Sequence, residues 1–286
     1  MANAFPLGIR VGGAALPDGV MMLTPLACAI ARETPAGLAI DTFPLPARKP
    51  NPLERIPFVR IIPKLVGQMS LVVRGWKPGG GQRPTTILAV AVLIGLISTG
   101  LNLSLTQLPT AWHAAGSSVL QLALFFGLIG STRLVPRFGR IWRFHGGEHQ
   151  AIAAYESGMD LTPENARTRT LYHPRCGTNL ATLALIIMVP CMVVGSMLSG
   201  ILGYVLTLAV PLPALCVAFE IIMLGQTRLR AVLWPGLAFQ RLTVAMPGPT
   251  ESAAGIAALC AALTEHVRVE AGREGQVATA GAHAAQ

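Results

Sequence analysis

The chain has 286 residues, of which 52% are hydrophobic and only 12% are charged, with a net charge of +9 at pH 7. A soluble domain usually carries about twice that charged fraction, so the composition argues against an ordinary soluble enzyme. The positive excess is what membrane topology and anionic lipid headgroups require, and we expect the lipid bilayer, not a specific nucleic acid, as the partner of these charges.

The N-terminal region, residues 1–84, is rich in Gly and Pro and contains short apolar runs. The runs at 20–23 and 38–40 predict short strands joined by turns rather than long helices. Residues 60–74 have helical spacing and are predicted to lie along a membrane surface. We therefore expect a small β-containing cytoplasmic region at this end of the chain.

Two long windows are almost free of charge. No Lys, Arg, Asp or Glu lies between Arg83 and Arg133, and only Glu220 lies between Arg175 and Arg228. Each window has about 50 residues, whereas one bilayer span needs about 20 apolar residues. Each window therefore predicts two spans and a short turn, and the four predicted spans are 86–108, 117–135, 179–198 and 206–224.

The predicted fold class is a membrane all-α core of four transmembrane helices in two hairpins, with a small β-containing N-terminal cytoplasmic region. All 22 Lys and Arg residues lie outside the two predicted hairpin turns. Positive residues stay on the cytoplasmic side, so both termini and the middle loop are predicted to be cytoplasmic. The predicted divisions are 1–84, the N-terminal region; 85–135, the first hairpin; 136–177, the cytoplasmic loop; 178–227, the second hairpin; and 228–286, a cytoplasmic C-terminal region with a disordered tail.

The densest polar cluster lies in residues 144–156. On a helix, His145 and His149 are four residues apart and share one face, with Glu148 beside them. Two imidazoles placed in this way can ligate one Zn²⁺ while a carboxylate acts on bound water. The order His-x-x-Glu-His is that of the inverted zincins, although so short a pattern also occurs by chance. We predict His145 and His149 as metal ligands and Glu148 as the catalytic base.

A third ligand is expected from residues 172–178. This segment offers His173 and Cys176, and the spacing His-x-x-Cys lets either or both reach one zinc ion. Arg175, between them, could bind an anionic substrate group. Glu156 shares the histidine face but lies about 10 Å further along the helix axis, too far to share a metal with the first histidine. The alternative is that these residues are headgroup contacts and hydrogen-bonded loop residues.

Two further features bear on function. Gly146 and Gly147 each weaken a helix by about 1 kcal/mol, which predicts either a break there or close approach of the backbone to a bound molecule. Glu220 is a carboxylate inside a predicted span, where such groups usually face a cavity, a partner or a functional path. The alternative for Glu220 is a structural, hydrogen-bonded role between helices.

Several blocks of the chain resemble the signature blocks of the bacterial YqhQ family. The likeness runs in order from about residue 11 to 265, and its blocks are Val-Gly-Gly-Ala-Ala at 11–15, Phe-His-Gly-Gly-Glu-His at 144–149, Ala-Tyr-Glu at 154–156, His-Pro-Arg-Cys-Gly-Thr at 173–178, Glu220, and Pro-Gly-Leu-Ala-Phe-Gln-Arg-Leu-Thr at 235–243. The resemblance implies a multi-pass protein of the bacterial inner membrane, in a family without an established biochemical role that is often labelled a predicted metal-dependent enzyme. The usual family form has Ala at the position of Gly147 and Lys at that of Gln150. The missing lysine argues against phosphate binding beside His149.

The sequence thus leads to one hypothesis and two alternatives. The hypothesis is a zinc-dependent integral membrane protein that acts as a hydrolase at the cytoplasmic membrane face. The first alternative is a non-catalytic assembly or docking factor, whose His/Cys cluster is structural and whose partner is a membrane protein or a second copy of the chain. A transporter is the second alternative. It ranks last because four spans with one acidic residue offer few polar groups to line a transport pathway unless the protein oligomerises.

Overall fold

A computed structural model describes most of the chain, namely residues 5–46, 51–75, 100, 109–198, 201–228 and 230–284. The chain forms two compact units. The first, here called the sheet unit, consists of Met1–Pro50, Val135–His173 and Val244–Gln286. The second, here called the helical unit, consists of Asn51–Leu134 and Pro174–Thr243.

The described residues form four strands and nine helices. The strands are β1 (Gly12–Leu16), β2 (Gly19–Leu23), β3 (Ala27–Thr34) and β4 (Gly37–Pro44). The helices are α1 (Ile61–Gly75), α2 (Thr110–Ser131), α3 (Pro136–Glu156), α4 (Pro163–Arg167), α5 (Gly177–Met197), α6 (Ile201–Ala209), α7 (Pro211–Thr227), α8 (Trp234–Thr243) and α9 (Pro249–Ala284).

The strands form one antiparallel sheet in the order β1-β2-β3-β4, which follows the chain. Val20 pairs with Ala31, and Met22 pairs with Ala29. Because side chains alternate along a strand, these four residues share one face of the sheet. All four are buried in a core that also holds residues of α3 and α9, including Phe144, Ile152, Tyr155, Leu259 and Leu263. The apolar face of the sheet is thus covered by helices.

Glycines let the backbones around α3 approach one another. A Cβ atom on Gly147 would lie 2.4 Å from the carbonyl oxygen of Glu251, and one on Gly146 would lie 2.1 Å from that of Ala245. A Cβ atom on Gly255 would in turn lie 2.5 Å from the carbonyl oxygen of Gly147. The close approach predicted from the two glycines is therefore an approach to α9 and the segment before it, and α3 has no break at this point.

Residue types explain where two helices of the sheet unit begin or end. In α4, Thr162 caps the N-terminus through its side chain, which accepts from the backbone amide of Asn165, and Pro163 follows as the first helical residue. Proline favours this position because its missing amide costs nothing there. In contrast, α9 continues to Ala284, so the tail predicted to be disordered is helical as far as that residue. Its many alanines explain this, since Ala has the highest helix propensity.

In the helical unit, α5, α7 and the segment before α8 surround a small core of Leu183, Ala218, Ile222 and Leu233. Glu220 of α7 forms an ion pair with Arg60. Its carboxylate accepts from the guanidinium of Arg60, at 2.8 Å for Nε and 2.5 Å for Nη2, and from the backbone amide of Phe58 at 3.1 Å. These bonds agree with the structural role that was left as the alternative for Glu220.

The prediction of four transmembrane helices is wrong. Among the described residues, only Gly177–Gly195 of α5 is long and apolar enough to cross a membrane. The apolar parts of α2 and of α7, Leu122–Leu134 and Pro211–Gln226, are shorter, at about 20 and 24 Å, than a hydrocarbon core of about 30 Å. The predicted span at 86–108 lies outside the described residues, apart from Gly100.

Two sequence details account for the difference. The first half of α2 carries Thr, His, Ser and Gln side chains, which confines its apolar stretch to the second half. Near residue 210 one helix ends and Pro211 begins another, a position that proline favours because its missing amide costs nothing there. A charge-free window therefore need not hold two continuous spans.

Candidate metal site

Helix α3 brings two imidazoles together. His145 and His149 lie one turn apart on one face, and their ring centroids are 4.4 Å apart. His149 is 2% exposed, so its ring is held by the surrounding protein. The helical pairing predicted from the spacing is present in the structure.

The backbone fixes the ring orientation of His149. Its Nδ1 lies 2.5 Å from the carbonyl oxygen of Leu171, in the segment that follows α4. Because a carbonyl oxygen can only accept, Nδ1 carries the proton, and in a neutral imidazole the lone pair is then on Nε2. A backbone carbonyl on the second ring nitrogen is a common partner of a metal-ligating histidine.

Cys176 follows Leu171 by five residues and offers a further ligand atom. One ligand atom each from His145, His149 and Cys176 lies within 4.8 Å of the other two, and the three residues could hold a metal ion. Zinc bonds of about 2.1 Å to nitrogen and 2.3 Å to sulfur need ligand atoms about 4 Å apart, so small side-chain rotations suffice. The donor set therefore fits zinc.

His173 lies beside this group but is turned toward Glu156. Its ring centroid is 5.8 Å from that of His149, and its Nε2 is 3.3 Å from Oε2 of Glu156. The sequence predicted His173, Cys176 or both as further ligands, and of these two only Cys176 belongs to the described group of ligand atoms within 4.8 Å. Spacing did not suggest the contact of Glu156 with His173.

Glu148 is buried beside the pair. It is 6% exposed, and no hydrogen-bond partner for its Oε2 lies within the described part of the chain. A Cβ atom on Gly13 of β1 would lie 2.8 Å from Cγ and Oε1 of Glu148, so only glycine leaves room there. Burial raises the pKa of the Glu148 carboxyl from 4.5 to about 7, and the nearby His145 lowers it.

The raised pKa predicts a pH-dependent stability of the metal-free protein. Below pH 4.5 the carboxyl is protonated in both states, whereas between 4.5 and about 7 only the unfolded state ionises. Folding stability is therefore lost as the pH rises through this window, by at most about 3 kcal/mol. A Glu148→Gln variant lacks this loss. The difference in unfolding free energy between variant and parent should grow from pH 4.5 to 7 and then level off, and a constant difference would contradict the burial of the charge.

Arg175, a predicted site residue, and Gln150, which was noted only as a departure from the family pattern, differ in their surroundings. Arg175 is exposed, and its predicted contact with an anionic substrate stays a prediction. Gln150 is buried, and its Nε2 donates to the carbonyl oxygens of Arg169 at 3.0 Å and Arg167 at 3.4 Å. The Gln150 side chain thus binds backbone carbonyl groups at and just after the end of α4.

Sequence reasoning missed two contributors to the site. Leu171 takes part only through its carbonyl group, which no side-chain pattern reveals. Gly13 makes room for Glu148, and its signal was its place in a short glycine pair inside a predicted strand region, where glycine often marks a close approach.

Comparison with known proteins agrees with the family resemblance. The family model described as "Protein of unknown function (DUF1385)" matches residues 83–265, which is more than half of the chain. The chain belongs to this family. It is also 30% identical over 98 residues to the "Uncharacterized protein YqhQ" of Bacillus subtilis (strain 168), a match that covers 34% of this chain and 30% of that protein. No solved structure shows a significant match to the chain.

Proposed function

We propose that this member of the YqhQ family is a membrane-anchored zinc protein whose metal site acts in hydrolysis. The observation that carries the proposal is the convergence of ligand atoms from His145, His149 and Cys176 within 4.8 Å. Imidazole and thiolate are the donors that zinc takes most readily in proteins, and hard cations such as Mg²⁺ prefer oxygen.

Three ligands leave one position of a tetrahedral zinc ion for water, which is the pattern of catalytic rather than structural zinc sites. The fourth position is assigned to water because His173 is not part of the described group of ligand atoms that lie within 4.8 Å of one another. Zinc bound there supplies Lewis-acid activation of water. Glu148, with its pKa raised to about 7, would accept and return the proton near neutral pH.

Membrane anchoring is the second part of the proposal, and α5 supports it. A buried apolar helix would suit the core of a soluble protein, but only 18% of Gly177–Gly195 is buried. Ile186 and Val194 are 50% and 55% exposed. Burying such side chains in lipid is favourable by about 25 cal/mol per Å². We propose the bacterial cytoplasmic membrane as the location, with Cys176 at the membrane face where α5 begins.

Cobalt substitution tests the open coordination position. The Co²⁺ form of the full-length protein should show the visible absorption of a four-coordinate site with a sulfur ligand, and added azide should change that spectrum by replacing water. The Glu148→Gln variant should bind cobalt equally well, since Glu148 is not a ligand in this scheme. A cobalt spectrum that is insensitive to azide would instead indicate a closed structural site and favour the docking-factor alternative.

A further inference from the structure

The segment that leads into α1 is ordered by its own hydrogen bonds. Asn51 caps a short 3-10 turn, Pro52–Arg55, by accepting from the amide of Leu53 at 3.0 Å. The amides of Ile56 and Arg60 then donate to the carbonyl oxygens of Leu53 and Ile56, at 3.2 and 3.0 Å. The path of this segment is thus set by its backbone and caps, without burial of its side chains.

The conformation of Phe58 is unusual. It has a φ of 65°, and it is the only non-glycine residue with a positive φ in the described part of the chain. Bulky residues rarely adopt this region, and such strain persists only where the surroundings impose it. Here the amide of Phe58 donates to Oε1 of Glu220, whose carboxylate also accepts from Nε and Nη2 of Arg60.

This arrangement directs apolar side chains outward. Leu53, Ile56 and Phe58 are 44%, 48% and 54% exposed, and Pro57 between them is exposed as well. Loop tips in water are usually built from Gly, Asn, Asp and Ser. The exposed side chains of this ordered turn, including that of the strained Phe58, are apolar. Moving them from water into an apolar surrounding would therefore be favourable.

The charged residues near this turn indicate which kind of apolar surface it could contact. Arg55 is exposed at the tip, and the Lys64 ammonium lies 5.4 Å from the ring centroid of Phe219 at the base. The acidic residues of this region are Glu54, which is half-buried, and Glu220, which is paired with Arg60. Apolar and aromatic tips with basic neighbours are typical of segments that enter the interface of anionic membranes.

We propose that residues 52–58, here called the apolar loop, insert into the boundary between headgroups and acyl chains of an anionic bilayer. Phe58, Ile56 and Leu53 are the inserted side chains, and Arg55 binds lipid phosphate. The proposal rests on the proposed membrane anchoring by α5, which belongs to the same compact unit. It adds a second, interfacial contact, which the ion pair of Arg60 and Glu220 holds in place.

Quenching by brominated lipid tests the proposal. The full-length protein would be reconstituted into vesicles of phosphatidylcholine and phosphatidylglycerol, with or without bromine on the acyl chains, as the parent and as the single variants Phe58→Trp and Ile56→Trp. The fluorescence of the introduced tryptophan is the difference between the variant and the parent. In both variants it should be at least twofold lower with brominated lipid than with unbrominated lipid. Ile56→Trp avoids any change at the strained residue. Ile40→Trp is the control, because Ile40 is 47% exposed on β4 of the sheet unit.

The outcomes separate the loop from the anchor. Vesicle flotation reports anchoring, and quenching reports loop insertion. If the protein floats with the vesicles but the added fluorescence of both loop variants behaves like that of Ile40→Trp, the loop faces water or another protein, and the proposal is overturned while the anchor stands. Failure of the parent to float would overturn the anchor and the loop insertion together, and would leave the zinc site untouched.

Discussion

The His145→Ala/His149→Ala variant is expected to purify essentially without zinc, whereas the parent protein should carry about one ion per chain. The reason is that the variant loses two of the three ligand atoms that lie within 4.8 Å of one another. Elemental analysis after dialysis against a weak chelator measures the content. His113→Ala is the control, since His113 lies in α2 and outside the ligand group.

Single variants then distinguish the third ligand. Cys176→Ser should lose most of the zinc, while His173→Ala and Glu156→Gln should reduce zinc affinity by no more than the 10–100-fold typical of outer contacts. If His173→Ala emptied the site and Cys176→Ser did not, the favoured ligand would be wrong. Normal zinc content in the double histidine variant would refute the site as a whole.

Gly146→Ala is expected to destabilise the fold, with a loss on the order of 2 kcal/mol. The new Cβ atom would lie 2.1 Å from the carbonyl oxygen of Ala245 and 3.1 Å from Cδ of Pro247. The first of these atoms belongs to the backbone, so the clash cannot be relieved by side-chain rotation. Overpacking costs about 1–3 kcal/mol, and a clash with backbone atoms falls at the upper end of that range, so a net loss of about 2 kcal/mol remains after the gain of about 1 kcal/mol in helix propensity.

Thermal unfolding followed by circular dichroism measures this effect, with an expected drop in the midpoint of about 5 °C. Gly12→Ala is the matched control in the sheet unit, because nothing lies within 4 Å of its Cβ position. That variant should be unchanged or slightly stabilised, since alanine is preferred to glycine within a strand. Equal midpoints for Gly146→Ala and the parent would mean that α3 and the segment before α9 are less closely packed.

The sequence predicted best those features that depend on the residues of a single helix. The facing of His145 and His149 follows from helical periodicity alone, and the start of α4 follows from Thr162 and Pro163. The partner of Glu156 could not be predicted, because it depends on how residues 168–174 fold back over α3. Spacing excluded a shared metal for Glu156 but gave no means of finding its contact with His173.

The glycines illustrate a similar limit. The sequence predicted either a helix break or close approach to a bound molecule at Gly146 and Gly147. Which neighbour approaches these glycines depends on the long-range packing of α9. The prediction of four transmembrane spans was wrong for a different reason. Charge depletion reports the apolar character of a window, whereas crossing a membrane also needs an unbroken helix of sufficient length, and near residue 210 the chain begins a new helix at Pro211.

X-ray absorption at the zinc edge tests the central claim most directly. For the full-length protein, we predict a first shell of two nitrogen atoms near 2.1 Å, one sulfur near 2.3 Å and one further oxygen or nitrogen atom. The sulfur contribution should disappear from the spectrum of the zinc that the Cys176→Ser variant retains or takes up when zinc is added back. A first shell made only of oxygen atoms, or one that keeps its sulfur without Cys176, would contradict a zinc site built from His145, His149 and Cys176.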